Sequence, residues 1–334
     1  MFFLLGISVI LAVMLVLNTS AALVAGLVWR LARKRISSWS PARSALALFL
    51  LRTLPVAIGA ASVVLLFAPA FWIHEPRQGF ESISFNLGLM AAISLFGILL
   101  AVFRGLAAFR VTGHLAADWL RNAEPISLPK VRIPAYLIEH RFPLIAVVGA
   151  INPKLFIARQ VVESLSAEEL SAALDHEAGH ITSRDNIKRS LMRLCRDMLL
   201  IAPFGRSMDA AWIVASETAA DEYAARKGTR KGLDLASAMV KIARMIPAGA
   251  RPTMAAGAFL VGDEGKIGFK TRVSRLLQIS QSHTARTAFN PSIAAILRLA
   301  PLGLILLVIG IIASEPEILS QVHGVIEHTV KVLD

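Results

Sequence analysis

The sequence predicts an integral membrane protein, mainly α-helical, in which four transmembrane helices accompany one α+β domain. Three observations carry this. Hydrophobic residues make up 55% of the 334 and charged residues only 17%, too apolar for an ordinary water-soluble chain. Four apolar runs are long enough to cross a bilayer. Between the third and the fourth, residues 110–291 hold 25 of the 35 basic residues, so the polar chemistry of the chain is concentrated there.

Phe2 to Trp29 contains no charged residue and can span a bilayer with some tilt. No basic stretch precedes it, and it is longer than a signal-peptide core, so it reads as an uncleaved first span. Asn18, Thr19 and Ser20 within it read as helix–helix contacts. Ser44 to Trp72 is the second span. Arg52 near its start is expected to snorkel to the headgroups, and Pro55 and Pro69 to kink or end the helix. Ile73 to Ser84 is a polar loop, Phe85 to Phe103 a third span closed by Arg104, and Ile293 to Ala313 a fourth with Arg298 inside it. The expected organisation is a three-helix membrane region at 1–109, a large domain at 110–291, a fourth span at 292–313 and a short tail at 314–334.

Basic residues orient this layout, because cytoplasmic loops carry the Lys and Arg excess. The first loop holds Arg30, Arg33, Lys34, Arg35 and Arg43 and no acid; the second holds Arg77 against Glu75 and Glu81; the tail holds Lys331 against Glu315, Glu317, Glu327 and Asp334. The N-terminus and the tail are therefore expected outside, and the large domain inside, in a multi-pass protein of the inner membrane. The domain's 25 basic residues against 17 acidic ones favour anionic headgroups. No nucleic-acid motif and no aromatic interleaving accompany them, so nucleic acid is not expected as a partner. Cys195 stands alone, which excludes an intrachain disulfide and reads as a buried, inert thiol.

Within the domain, Val111 to Arg121 looks helical. Prolines at 134, 143 and 153 break up Lys130 to Arg159. The short apolar runs Leu144–Val148 and Leu155–Ala158 read as strands. A strand beside a reactive site can take an extended peptide along its edge; plain sheet core is the equal alternative. Ser166-Ala167-Glu168-Glu169 is a capping box opening a helix with Leu170, Ala173, Leu174 and Ala178 on its apolar side. Asn186 to Leu200 is a second helix, apolar along Ile187, Leu191, Leu194, Cys195 and Met198 and basic along Lys188, Arg189, Arg193 and Arg196. It packs on the domain core or lies on the inner membrane surface. Ala211 to Arg226 has helical composition.

The chemistry centres on Asp175-His176-Glu177-Ala178-Gly179-His180. Four residues apart on a helix, His176 and His180 share one face, one turn apart. This is the His-Glu-x-x-His arrangement of zinc metallopeptidases, where the histidines bind the metal and the Glu is general base; two unrelated surface histidines are the bland alternative. Gly179 leaves room for substrate or a neighbouring strand. Catalytic zinc takes three protein ligands and keeps one position open. Glu217 is the best third ligand, with Asp221 and Glu222 as rivals in the same Ala-rich helix. Glu217 and Asp221 lie one turn apart, so one can bind metal while the other supports a ligand histidine, unless all three acids are simply solvated. Nothing ties His114, His140 or His283 to this site, and His74, His323 and His328 are expected across the membrane. Tyr223 is conceivable as an oxyanion donor but more ordinary as a packed aromatic.

Residues 144–226 resemble the BlaR/MecR-type membrane metallopeptidases of the gluzincin group. The resemblance rests on Val148-Gly149-Ala150-Ile151-Asn152-Pro153, Leu165-Ser166-Ala167-Glu168-Glu169-Leu170, His176-Glu177-Ala178-Gly179-His180, Arg184-Asp185-Asn186 and Glu217-x-x-x-Asp221. Thr271 to Leu277 resembles the basic helix that closes such domains, and the order of spans matches. The resemblance implies a gluzincin-type zinc metallopeptidase domain. It implies that His176, His180 and Glu217 bind one zinc ion, that Asp221 orients a ligand histidine, and that peptide bonds are hydrolysed at the inner membrane face with Glu177 as base. The family's antibiotic sensors carry an outer penicillin-binding domain after the last span; only residues 314–334 follow here, so neither β-lactam sensing nor repressor cleavage is expected to carry over. HtpX- and CAAX-protease-type peptidases share the zinc motifs with a different distribution of spans and form the second reading. A signalling transducer limited to self-cleavage, and a scaffold with a degenerate site, are the other classes. The expected partners are a protein or peptide substrate and the lipid bilayer, with a homo-oligomer or membrane partner left open.

Overall fold

A computed structural model of the chain describes residues 2–76, 83–128, 131–199, 203–246, 258–259, 265–281, 303–304 and 307–333. Helix α1 (Phe2–Ser37) carries Lys34 and Arg35 in its last turn. Its 36 residues extend about 54 Å, well beyond a hydrocarbon core of about 30 Å, so the basic end projects past the apolar layer. Helix α2 (Pro41–Ser62) starts on a proline, whose missing N–H costs nothing in a first turn. It runs through Pro55 into a π-helical turn, Val63–Phe67, and then α3 (Ala68–His74). Pro69 cannot donate to the carbonyl four residues back and its ring crowds that carbonyl; the wider turn just before it accommodates both effects. Helix α4 (Phe85–Leu120) is opened by Ser84, which accepts from the Leu87 amide. The expected third span and the expected helix at Val111 are therefore one continuous helix.

Three stretches, Phe2–Ser37, Pro41–His74 and Phe85–Leu120, are long and apolar enough to cross a membrane. The fourth expected run, Ile293 to Ala313, falls mostly outside the described residues.

After α4 the chain forms a five-stranded sheet in the order β1-β2-β4-β3-β5. The strands are β1 (Glu124–Ile126), β2 (Ala135–Ile138), β3 (Ile145–Val148), β4 (Lys154–Ala158) and β5 (Ala258–Phe259). Only the β2–β4 pairing is parallel. Both expected strands are present as β3 and β4, and both are buried along nearly their whole length, which explains their unbroken apolar runs. The edge of β3 is paired with β5 at Ala146 and Val147, so the strand expected to receive a peptide is occupied there.

Helices α5 (Arg159–Ser164), α6 (Ala167–Ser183), α7 (Asp185–Met198), α8 (Gly205–Ala225), α9 (Lys231–Met245) and α10 (Gly265–Gln281) follow, with α11 (Pro316–Leu333) near the chain end. The sheet, α6, α9 and α10 share one core through Phe156, Ile157, Ala173, Leu235, Met239 and Leu276.

Helices α7 and α8 face the spans. Trp29, Leu48, Met192, Met208 and Trp212 form one apolar cluster, and Ala22, Val56, Cys195 and Leu199 another. Helix α7 packs on the apolar spans rather than on the sheet core. Met192, Cys195 and Leu199, spaced three and four apart, put one stripe against the membrane helices, while Leu191 is exposed. Arg52 does not snorkel. It is 2% exposed and donates from Nε to Asp209 of α8 at 2.9 Å, because an acid within reach inside the protein satisfies it better than a strained path to the surface. Arg104 reaches Asp197 of α7 at 3.1 Å, and Trp29 Nε1 donates to Ser207 at 3.2 Å.

At the other end of α1, Leu5 and Val9 pack with Phe71, Leu87 and Ile326 and Val330 of α11. His74 and His323 stack there with ring centroids 5.7 Å apart. Val9 and Trp29 are separated by twenty residues, roughly 30 Å of helix, so this cluster and the one around Trp29 sit at opposite ends of α1.

The Arg52–Asp209 pair should behave as a buried ion pair. Arg52→Met or Asp209→Leu alone strands a charge and should cost about 2 kcal/mol or more, whereas the double substitution should cost less than the sum of the two. Chemical denaturation of the detergent-purified protein checks this; additive losses would contradict it.

Candidate active site

Helix α6 is held before it reaches the histidines. Ser166 Oγ accepts from the Glu169 amide at 3.3 Å and the Glu169 carboxylate accepts from the Ser166 amide at 2.8 Å, the expected capping box. Glu169 also accepts from Ser237 and Lys241 of α9, at 2.6 and 2.7 Å, and Asp175 lies 3.3 Å from Lys231 Nζ. These contacts fix the rotation of the helix, and rotation decides where the imidazoles point. His176 and Glu177 are fully buried and His180 nearly so.

Helix α8 comes in against α6 at Gly179. A Cβ built on Gly179 would meet the Ala220 Cα at 3.1 Å, so the neighbour that needs the small residue is a helix, rather than the substrate or strand expected. That contact sets Glu217, one turn before Asp221, opposite the two imidazoles. His176 Nε2 and His180 Nε2 each lie 3.6 Å from a Glu217 carboxylate oxygen and 3.2 Å from one another. Tetrahedral bonds of about 2.1 Å separate ligand atoms by about 3.4 Å, so this donor set fits one zinc ion. Among the described residues, His176, His180 and Glu217 are the group whose ligand atoms all lie within 4.8 Å of one another.

The other ring nitrogens are committed elsewhere. His176 Nδ1 lies 2.9 Å from Asp221 Oδ1 and His180 Nδ1 lies 2.8 Å from Asp185 Oδ2. Carboxylates at both Nδ1 positions favour the tautomer that leaves Nε2 free to bind metal and raise its basicity. The rival acids are also accounted for. Asp221 accepts two hydrogen bonds from Arg272, at 2.7 and 2.8 Å, and Glu222 pairs with Arg226 and Arg275. Glu217 alone of the three faces both imidazoles. Both Glu177 oxygens are buried without a hydrogen-bond partner, as a carboxylate poised for a ligand or water would be. Tyr223 packs its Cβ near Gly179 and its ring under Lys227 Nζ at 4.7 Å.

Three contributors were not singled out as site residues by motif reading. Asp185 follows a turn in which Arg184 adopts a left-handed conformation, φ 54°, and this folds the chain back so that Asp185 reaches His180. Asn186 donates to the carbonyls of Val147 and Gly149, at 2.9 and 3.0 Å, tying β3 to the start of α7. Gly149 has φ +101°, a conformation that favours glycine. Arg272, 4% exposed, bridges Asp221 and Glu217, at 3.1 Å from the latter. The basic run from Thr271 to Leu277 was its only signal.

Charge follows from this packing. Burial opposes the charged form of His180, but Glu217 and then Asp185 outweigh it and push its pKa up to about 10. Burial likewise works against charge on His176, and Asp221 and Glu217 raise its pKa all the same. Glu217 is held well below the usual carboxylate range against its burial, by His180 and Arg272, and Asp221 is lowered chiefly by Arg272. Burial pushes Glu177 up to about 7.

Comparison with known families supplies the independent test. Residues 110–214 match Peptidase family M48. That match supports a metallopeptidase of the M48 type, a family that is typically zinc-dependent, and the three apolar helices support its association with a membrane. The M48 match takes in the His-Glu-x-x-His helix and stops before Glu217, so the case for Glu217 rests on geometry. No curated protein matches the chain.

Zinc must displace the proton that Glu217 and Asp185 hold on His180. Zinc affinity should therefore rise with pH toward 10, and binding at pH 8 should release about one proton. Calorimetry in two buffers of different ionisation enthalpy measures that release. Asp185→Asn should weaken zinc binding about 10- to 100-fold.

Proposed function

We propose that the protein is a membrane-embedded zinc endopeptidase that hydrolyses peptide bonds at the cytoplasmic membrane face. The observation that carries this reading is the convergence of two imidazole Nε2 atoms and the Glu217 carboxylate beside the unpartnered Glu177, in a region matched by a metallopeptidase family. In this reading His176, His180 and Glu217 are the ligands of one zinc ion. Asp221 and Asp185 orient the two histidines, and Arg272 holds Asp221 and Glu217 in register. The proposed layout is BlaR/MecR-like: three spans, a zinc domain over 110–291, a fourth span at 292–313, and the N-terminus outside.

Bound zinc supplies Lewis acidity, which activates a water and polarises the scissile carbonyl. Glu177 accepts the proton as that water's oxygen adds to the carbonyl carbon. It then returns the proton to the amide nitrogen as the C–N bond breaks, giving an acid and an amine. Desolvation suits Glu177 to this exchange, since a carboxylate raised toward neutrality gives back a proton as readily as it takes one. Asp221 and Asp185 face the two Nδ1 atoms, and with the metal bound they would keep both Nε2 lone pairs aimed at one point.

Glu177→Ala should retain stoichiometric zinc and lose about 10²- to 10⁴-fold in cleavage of an unstructured protein substrate. His176→Ala and Glu217→Ala should lose zinc as well. Metal analysis and proteolysis of detergent-purified variants test both statements together. A wild-type protein that takes up no zinc would overturn the reading.

A further inference from the structure

Where α1 and α2 pass one another near their basic ends, they leave an open groove of about 290 Å³. Val28, Ala32, Arg35 and Trp39 line one wall, and Leu50 and Leu54 stand on the other. Steps of four and three from Val28 to Arg35, and of four along the second wall, make each wall a single helical stripe. The groove therefore runs along the helices, for about 10 Å between Val28 and Arg35, with Trp39 in the turn just past α1. Its lining is apolar: Arg35 contributes the stem of its side chain at the end away from Val28, and the residue as a whole is exposed, so the stem lies along the slot while the guanidinium is not part of its lining. Trp39, 44% exposed, stands at the same end, and tryptophan is enriched at headgroup depth.

The charges around that end have no acidic counterpart among the described residues. Arg30, Arg33, Lys34, Arg35 and Arg43 are all exposed, and none forms an ion pair among the described residues. The buried cations Arg52 and Arg272, by contrast, are paired. A slot of acyl-chain shape that runs between two spans, ending at an unpaired guanidinium and an interfacial tryptophan, matches an amphiphile with an anionic head. Each cation near such a surface adds attraction for anionic lipid.

We propose that this groove seats one anionic phospholipid, with an acyl chain between the Val28–Ala32 and Leu50–Leu54 stripes and the phosphate on Arg35. The site is separate from the metal centre, and its test reads no proteolysis. The full-length protein in detergent is offered phosphatidylglycerol and phosphatidylcholine in equal amounts, and bound lipid is counted by native mass spectrometry. The expected result is one retained phosphatidylglycerol in preference to phosphatidylcholine. Arg35→Gln should lower its retention roughly fivefold, and Arg35→Lys should largely preserve it. Ala32→Phe, which fills the slot, should reduce both lipids; a thermal melt shows that this variant is folded, and Arg35→Gln carries the test by itself if it is not. Excess inorganic phosphate should not displace the lipid, because the chain is half of the recognition. Equal retention of the two lipids, retention indifferent to Arg35→Gln, or displacement by phosphate alone would each overturn the proposal.

Discussion

The close contact of α6 and α8 at Gly179 and Ala220 is the constraint on which the site depends. Two imidazoles four residues apart define a face but not a metal site; they need a third donor at a fixed distance and angle. A Cβ at position 179 would meet the Ala220 Cα at 3.1 Å, so the two helices would have to give by a few tenths of an ångström at the point that sets the Glu217 carboxylate against the two Nε2 atoms. The usual cost of glycine inside a helix is here the condition for the approach. The surrounding pairs, Asp221 with Arg272 and His176, Asp185 with His180, and Asn186 with β3, then hold what that contact brings together.

Helix α8 also belongs to the membrane bundle. Its first half carries Met208, Asp209 and Trp212 into contact with α1 and α2, and its second half carries Glu217 and Asp221. Asp209 and Glu217 are eight residues apart, about 12 Å of helix. The contact with α2 and the candidate metal-binding carboxylate thus sit on one helix with no loop between them.

His176, Glu177 and His180 were legible in the sequence because helical spacing alone puts them on one side. The same holds for the capping box, the first three spans and both buried strands. The choice among Glu217, Asp221 and Glu222 was not legible. Three acids within six residues look alike locally, and what separates them is what each faces: Glu217 faces both Nε2 atoms, Asp221 meets Nδ1 of His176, and Glu222 turns to Arg226 and Arg275. Arg52 reads as a snorkelling residue because its acid stands 157 positions away. Asp185 reads as a helix end because nothing in Arg184 announces a left-handed turn. Arg104 reads as the end of a span, but a helix need not stop where the lipid does, and α4 continues to Leu120.

The apolar stripe on α7 and α8 has a further consequence. Met192, Cys195, Leu199, Met208 and Trp212 are buried by α1 and α2 rather than by the sheet. Cut free of its membrane helices, the sheet-containing region would present that stripe to water, next to Asp209 without its Arg52 partner. Such a fragment would be expected to self-associate rather than dissolve, and its own solubility would set the limit on studying it apart from a membrane or detergent.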